Sequence, residues 1–242
     1  MAIPASGPVT LAALQTEYGG TDPVSLNEYY RGGLYVPIGT GTATIPSSGA
    51  ISLDNFRGTS KTATVTYAII GGGGAGGFGV DDGGEGNRGT YGDAGGASSI
   101  TGDEFQTITA AGGRGGENCG GERGQAGYAG ASTIYGSGGA GGALNSNGGA
   151  ASGRGAGGGG GGGDDGSTYD AGGCSGFGGR AGTLLTGTVE VVYGTELTIT
   201  IGAGGPRNAV GYQGGAGAGG RCQISWDANS STFTSDGTVT IT

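Results

Sequence analysis

Lys61-Thr62-Ala63-Thr64-Val65-Thr66-Tyr67-Ala68-Ile69-Ile70 runs without a break into Gly71-Gly72-Gly73-Gly74-Ala75-Gly76-Gly77. The first half is Thr-rich, β-branched and alternating, the pattern of a strand with one buried face. The second half has almost no side chain to bury. From Gly71 to Gly182 there are 47 Gly in 112 residues and no Pro. The strict third-residue period of collagen is absent, which excludes a collagen triple helix. Order in such a segment has to come from backbone packed on backbone. Extended polyglycine helices of the polyproline II type provide it, with three residues per turn, about 3.1 Å per residue, and peptide groups that bond between neighbouring helices. Glycine permits the close approach because it lacks a Cβ. The competing reading is a flexible linker. Ala97-Ser98-Ser99-Ile100 and Phe105-Gln106-Thr107-Ile108-Thr109-Ala110 argue against it, since both read as strands between glycine loops.

Downstream the text is again β-like. Thr188 to Tyr193 and Glu196 to Ile201 flank Gly194-Thr195, a two-residue connection with Gly first that predicts a type II′ hairpin. Cys222-Gln223-Ile224-Ser225-Trp226 alternates, which puts Cys222, Ile224 and Trp226 on one face. Thr238-Val239-Thr240-Ile241 forms a last strand. Strands before and after the glycine block predict a mainly β fold. Residues 61–242 form a β-sandwich-like core carrying a large polyglycine II-type insertion.

Upstream, residues 1–60 hold a repeat. Ile3-Pro4-Ala5-Ser6-Gly7-Pro8-Val9-Thr10-Leu11 returns as Ile45-Pro46-Ser47-Ser48-Gly49-Ala50-Ile51-Ser52-Leu53. Val24-Ser25-Leu26-Asn27-Glu28-Tyr29-Tyr30-Arg31-Gly32 aligns, less one residue, with Ile51 to Gly58. Each copy reads as a short punctuated helix. Ser25 with Glu28 forms a capping box and Gly32 a left-handed stop. Ser52, Asn55 and Gly58 repeat the device, and Thr10 and Gly19 bracket Leu11 to Tyr18. Helices this short are unstable alone, so they dock on each other or on another subunit. The segment is expected to attach the protein to a partner, with Leu11, Leu14, Leu26, Tyr29, Tyr30 and Phe56 as its apolar anchors.

Composition removes most enzyme chemistry. Of 242 residues, 68 are Gly, 33 % are hydrophobic and 12 % charged. There is no His, and Lys61 is the one Lys. His-based general bases and metal sites are therefore excluded. The net charge of −9 has the wrong sign for gripping nucleic acid phosphates. No run approaches the about 20 apolar residues of a membrane span. No secretory signal pattern is present, since Arg31 is the first basic residue. Cys119, Cys174 and Cys222 are odd in number and lack CxxC spacing, so they read as free thiols made in a reducing cytoplasm. The run Gly157 to Gly163 lacks the Lys of a phosphate loop and precedes Asp164-Asp165, which would repel phosphate. Asp81-Asp82, Asp103-Glu104 and Asp164-Asp165 match no Ca²⁺-loop spacing and read as solvated loop tips. The expectation is a non-enzyme with no metal and no cofactor.

Isolated aromatics remain: Phe78, Tyr91, Tyr128, Tyr135, Tyr169, Phe177 and Tyr212 stand among Gly, Asp and Ser. Tyr, Ser, Gly and Asn are the mixture of antibody paratopes, with rigid rings offering contact area at low entropy cost. Such rings also suit a saccharide face. Equally, they can staple a glycine layer from within.

Three strings carry a likeness: AGGASSITGDEFQTITAAGGRGG from Ala94, GTELTITIGAGG from Gly194 and GGRCQISW from Gly219. They resemble the glycine-rich domain of phage tail fibre and virion proteins. The IPSSGAISL and SLNEYYRGG segments resemble N-terminal modules in structural proteins of tailed phages, including cyanophages. The glycine-rich tip adhesins of T-even-like phages, which carry polyglycine helices, are the nearest functional comparison. This chain lacks their Trp-rich attachment region. The resemblance implies a virion protein, made in the host cytoplasm, that acts as a tail-fibre or tail-tip adhesin. Residues 1–60 would then bind other tail or fibre proteins. Tyr91, Tyr128, Tyr135, Tyr169, Phe177 and Tyr212 would meet a bacterial surface receptor, protein or polysaccharide. The alternative is a purely structural virion part in baseplate, neck or head decoration.

Overall fold

The structure, a computed structural model, describes residues 2–79, 92–103, 105–117, 125–163, 175–207 and 212–242. Eight strands are present among them: β1 (Thr62–Ile70), β2 (Ser98–Gly102), β3 (Phe105–Ala110), β4 (Leu184–Val192), β5 (Glu196–Thr200), β6 (Arg221–Trp226), β7 (Asn229–Phe233) and β8 (Gly237–Thr240). They form two antiparallel sheets, in the orders β4-β1-β6-β7 and β3-β2-β5-β8. The predicted alternation fills the space between them. Ala63, Val65, Ile69, Cys222, Ile224 and Trp226 face Ile100, Leu197, Ile199 and Ile241, all buried in one core. Each fully buried Val, Leu or Ile contributes about 1.5–3 kcal/mol.

Two expectations are corrected here. Gly194 has the positive φ (+92°) expected of its turn, but the flanking strands do not form a hairpin. β4 pairs with β1, whereas β5 pairs with β2 and β8, so the turn carries the chain from one sheet to the other. Periodicity fixes which face of a strand is buried and leaves its neighbour open. The second correction is β7, Asn229-Ser230-Ser231-Thr232-Phe233, whose polar composition concealed a strand that pairs with β6.

Beyond the sheets, the described residues form ten extended glycine-rich segments. They are I (71–79), II (92–97), III (111–117), IV (125–131), V (137–143), VI (147–152), VII (155–163), VIII (175–182), IX (202–207) and X (212–219). Along helix I the donors rotate through three neighbours. Gly72 donates to Gly96 of II, Gly73 to Ala218 of X and Gly74 to Arg180 of VIII. Ala75, Gly76 and Gly77 then repeat the cycle onto Asp93, Gly215 and Phe177, with every N···O distance 2.8–2.9 Å. A direction that recurs at every third residue is the three-residue turn of polyglycine II. Helix I accepts from Gly113 and Gly116 of III, Gly158 and Gly161 of VII, and Gly205 of IX. It therefore has six neighbours. Helix VII does too, donating to IV, I and VI and accepting from V, VIII and X. Two adjacent helices with six neighbours each, sharing VIII and X, account for all ten segments as one hexagonal patch.

Glycine is required where the lattice closes on all sides. Every residue of 71–79 and 155–163 is buried. A Cβ at Gly72, Gly73, Gly74 or Gly76 would lie 1.9–2.1 Å from a backbone oxygen of a neighbouring helix. Edge helices have open sides, and there other residues appear. Ala111, Arg114 and Glu117 of III stand outward at every third position.

The sheets set up this lattice. β1, β3 and β5 lead into helices I, III and IX, while helices II, VIII and X lead into β2, β4 and β6. Sheet order β4-β1-β6 continues as the helix row VIII-I-X, and β3-β2-β5 as III-II-IX. Helices IV, VII and VI add a third layer, closed by V. Ser98 sits at the junction, fully buried, donating to Ile70 O (2.9 Å) and accepting from Gly202 N (2.9 Å).

Residues 2–60 fold as a small module with its own core. Its helix α1 (Leu11–Tyr18) is capped by Thr10, whose hydroxyl accepts from Ala13 N, and stops at Gly19, as expected. Single 3-10 turns follow at Leu26–Glu28, Thr40–Thr42 and Leu53–Phe56. The Ser52–Asn55 box forms, Asn55 Oδ1 accepting from Ser52 N at 2.8 Å. The expected Ser25–Glu28 box does not, because Ser25 makes no side-chain cap bond. The sequence repeat is structural. Ile3 and Ile45 are both buried, Gly7 and Gly49 both have positive φ, and Tyr29 and Phe56 occupy equivalent core positions.

Candidate functional site

The molecule is polar along its length. The N-terminal module abuts the start of β1 and the end of β4: Glu17 Oε1 accepts from Lys61 N (2.7 Å), and Glu190 Oε2 accepts from Thr40 N (2.8 Å). The sandwich follows, then the bundle, about 28 Å along helix I at 3.1 Å per residue. The far end gathers segment ends: Gly79, Glu117, Ala143, Gly163 and Arg207 close described segments there, and Gly92, Gln125, Asn147, Ser175 and Tyr212 open them.

The long side of the bundle made by III, VIII and IV carries the described aromatics best placed for contact. Tyr128 of IV and Phe177 of VIII stack, ring centroids 4.6 Å apart and planes 27° from parallel. Tyr128 remains 44 % exposed. Arg114 of III and Arg180 of VIII stand side by side on the same face, because Arg180 N donates to Arg114 O (2.8 Å). Both are exposed. Phe177 N bonds Glu117 O (2.9 Å) one turn further on, so Glu117 shares the level of the ring pair. The two arginines were not singled out from sequence. Their signal was the third-residue spacing in Arg114-Gly115-Gly116-Glu117, which identifies an outward face only once the three-residue turn is known.

The remaining predicted contacts divide. Phe78 is buried and packs inward. Tyr135 is half-buried beneath the Arg221 guanidinium, 4.6 Å from its ring centroid, where it clasps the IV–V turn to β6. Tyr212 is half-buried and bridges Gly79 through the backbone. Tyr91 and Tyr169 lie outside the described residues, as do Asp81, Asp82, Glu104, Cys119, Asp164, Asp165 and Cys174.

Of the six expected anchors, Leu14, Tyr29 and Phe56 are spent within the N-terminal module's own core. Leu14, Tyr29 and Phe56 are 0 % exposed. Phe56 meets Tyr29 edge-on at 6.3 Å and Tyr18 at 6.2 Å. Leu11, Leu26 and Tyr30 are half-buried, with the Tyr30 hydroxyl bonded to Gly49 O. The short helices thus dock on each other. The apolar side chains left to solvent are Leu34 (86 % exposed) and Ile38 (80 %), which flank fully buried Val36.

Other chemistry is sparse. Cys222 is fully buried, and burial pushes its thiol from 9.0 up to about 12, away from reactivity. Among the described residues no cluster of His, Cys, Asp and Glu could hold a metal ion, and no helix is long and apolar enough to cross a membrane. A shallow groove of about 400 Å³ on the outer face of β4-β1-β6 presents Thr66, Thr186, Thr188, Gln223 and Ser225. Comparison with protein-family models, curated proteins and solved structures gives no match.

Proposed function

We propose that this chain is a bacteriophage virion protein, a tail-fibre or tail-tip adhesin without enzymatic activity. The observation that carries the reading is the molecule's polarity: a compact module at one end and the ends of ten glycine-rich segments gathered at the other, joined by a hydrogen-bonded lattice. A backbone-bonded glycine bundle holds surface side chains in place at little ordering cost, which favours recognition by preorganisation. The resemblance to phage glycine-rich domains agrees with it. In this reading residues 1–60 seat the protein on a tail component, with Leu34 and Ile38 offering the exposed apolar contact. The bundle then points toward the bacterial surface. Gold-labelled antibody against residues 61–242, applied to particles of the phage that encodes the chain, tests this. Label at the free end of a tail fibre or tail tip supports it. Label on head, neck or baseplate supports the purely structural alternative, and unlabelled particles contradict both.

A further inference from the structure

We propose that the face built by helices III, VIII and IV binds an anionic polysaccharide. Arg114 and Arg180 would hold its carboxylate or phosphate groups, and Tyr128 with Phe177 would receive a sugar ring. The inference rests on the adhesin reading and names the receptor class that reading leaves open.

The register of the lattice brings the groups together. The bond from Arg180 N to Arg114 O sets the two arginines at one level on adjacent helices, about 5 Å apart as hydrogen-bonded chains are. Neither has an ion-pair partner among the described residues. In a chain of net charge −9, two neighbouring guanidiniums without a carboxylate between them form a local site for an external anion. Guanidinium forks match carboxylate and phosphate oxygens bidentately. One turn along, about 9 Å away, come Phe177 on VIII and Tyr128 on IV, held level by the bond from Tyr128 N to Gly176 O (3.2 Å). Their mutual stacking fixes both rings, and Tyr128 keeps ring surface in solvent. An apolar ring with one polar tip suits the apolar face of a sugar. Glu117, exposed at the ring level, repels a second anion there and accepts from sugar hydroxyls. The site therefore selects a chain whose anionic group lies a turn away from a neutral sugar ring. The net charge disfavours a nucleic acid, whose phosphates recur at every unit.

Titration calorimetry on the full chain decides it, with four probes: a hyaluronan oligosaccharide, whose carboxylates alternate with neutral sugars, a phosphodiester-linked oligosaccharide with a neutral sugar between phosphates, maltooligosaccharide of matching length, and oligo-dT. The expected result is binding to the hyaluronan oligosaccharide, the phosphodiester-linked oligosaccharide or both, which separates carboxylate from phosphate as the preferred anion. That binding should weaken in high salt and exceed binding to maltooligosaccharide. Arg114→Gln, Arg180→Gln and Tyr128→Ala should each weaken it by about tenfold. The two arginine variants should keep the parent melting temperature, since both side chains are exposed, and Tyr128→Ala should lower it only slightly, by the loss of its stacking on Phe177. Binding to neither anionic probe overturns the proposal, as does unchanged binding in the Arg114→Gln/Arg180→Gln double variant. Tighter binding to oligo-dT than to either glycan overturns it too. Gold label at a tail tip combined with no binding to either anionic probe removes this site and leaves the adhesin reading standing. Label elsewhere with intact anionic binding does the reverse.

Discussion

Gly159→Ala places one methyl group where the lattice has no room. The Cβ would stand 1.9 Å from Ala140 O and 2.5 Å from Ala140 C, and contacts under 3.0 Å are essentially never seen. Helix V therefore has to retreat by at least 1.1 Å. That retreat stretches the two bonds V donates to VII, Gly139 N to Gly157 O (3.0 Å) and Gly142 N to Gly160 O (2.9 Å), beyond hydrogen-bond range. Each buried bond lost with a group left unpaired costs about 1–3 kcal/mol. The expected destabilisation is about 3–5 kcal/mol, or a melting temperature lower by roughly 10 °C for a chain of this size. Gly149→Ala is the control. Its Cβ would meet Ala140 N at 3.1 Å and O at 3.3 Å, a fit that needs only a few tenths of an ångström. The entropy lost by the unfolded chain offsets part of that, at about 0.4–1 kcal/mol. Gly149→Ala should stay within about 1 kcal/mol of the parent. Calorimetric or circular-dichroism melting reads both variants. Equal, small effects at the two positions would refute the hexagonal packing.

Ser98→Ala leaves Ile70 O and Gly202 N without their hydroxyl partner at the sheet-to-bundle junction, and should cost about 2–4 kcal/mol in denaturant titration. Above pH 9 the unfolded Cys222 thiol ionises while the buried one stays protonated to about 12. The unfolded state is then favoured, and stability should fall by about 1.4 kcal/mol per pH unit over that window. The same slope should be flatter in Cys222→Ala, whatever that variant's overall stability. Tyr18, raised from 10.0 to about 12 by burial, adds a loss of the same sign above pH 10. A chain beginning at residue 61 should keep the melting transition of the bundle, because the module's core closes on itself. If the chain is the virion protein proposed above, this truncation should fail to incorporate into particles, which quantitative immunoblotting of purified virions checks.

The sandwich was legible because alternation in β1 and β6 declares a buried face directly. The partner of each strand was not: β4 and β5 read as a hairpin, yet they enter different sheets. Helix α1 and the repeat of residues 3–11 at 45–53 were written in caps and positive-φ glycines, local signals that need no tertiary context. Three-residue helices could be inferred from the want of side chains, but their arrangement could not. A glycine carries no face, so only hydrogen-bond partners reveal which neighbour each residue meets. The same blindness hid Arg114 and Arg180. The period of outward positions breaks wherever a helix has six neighbours, as in 71–79 and 155–163, so no uniform repeat runs through the chain to mark it. The aromatics were found by composition. Whether each one packs or projects depended on the lattice position it occupies: Phe78 lies within helix I, Tyr128 on an edge helix.

The central claim is that glycine segments with almost no side chains form an ordered lattice that holds one rigid surface. Amide hydrogen exchange read residue by residue at Gly73, Gly74, Gly158 and Gly159 addresses it most directly. These donors bond Ala218, Arg180, Gly74 and Gly149 from inside the bundle. The account predicts that they exchange as slowly as the core amides of β1 and β6, through opening of the whole domain. Exchange at the rate of an unstructured chain at these four glycines, with β1 and β6 still protected, would contradict it.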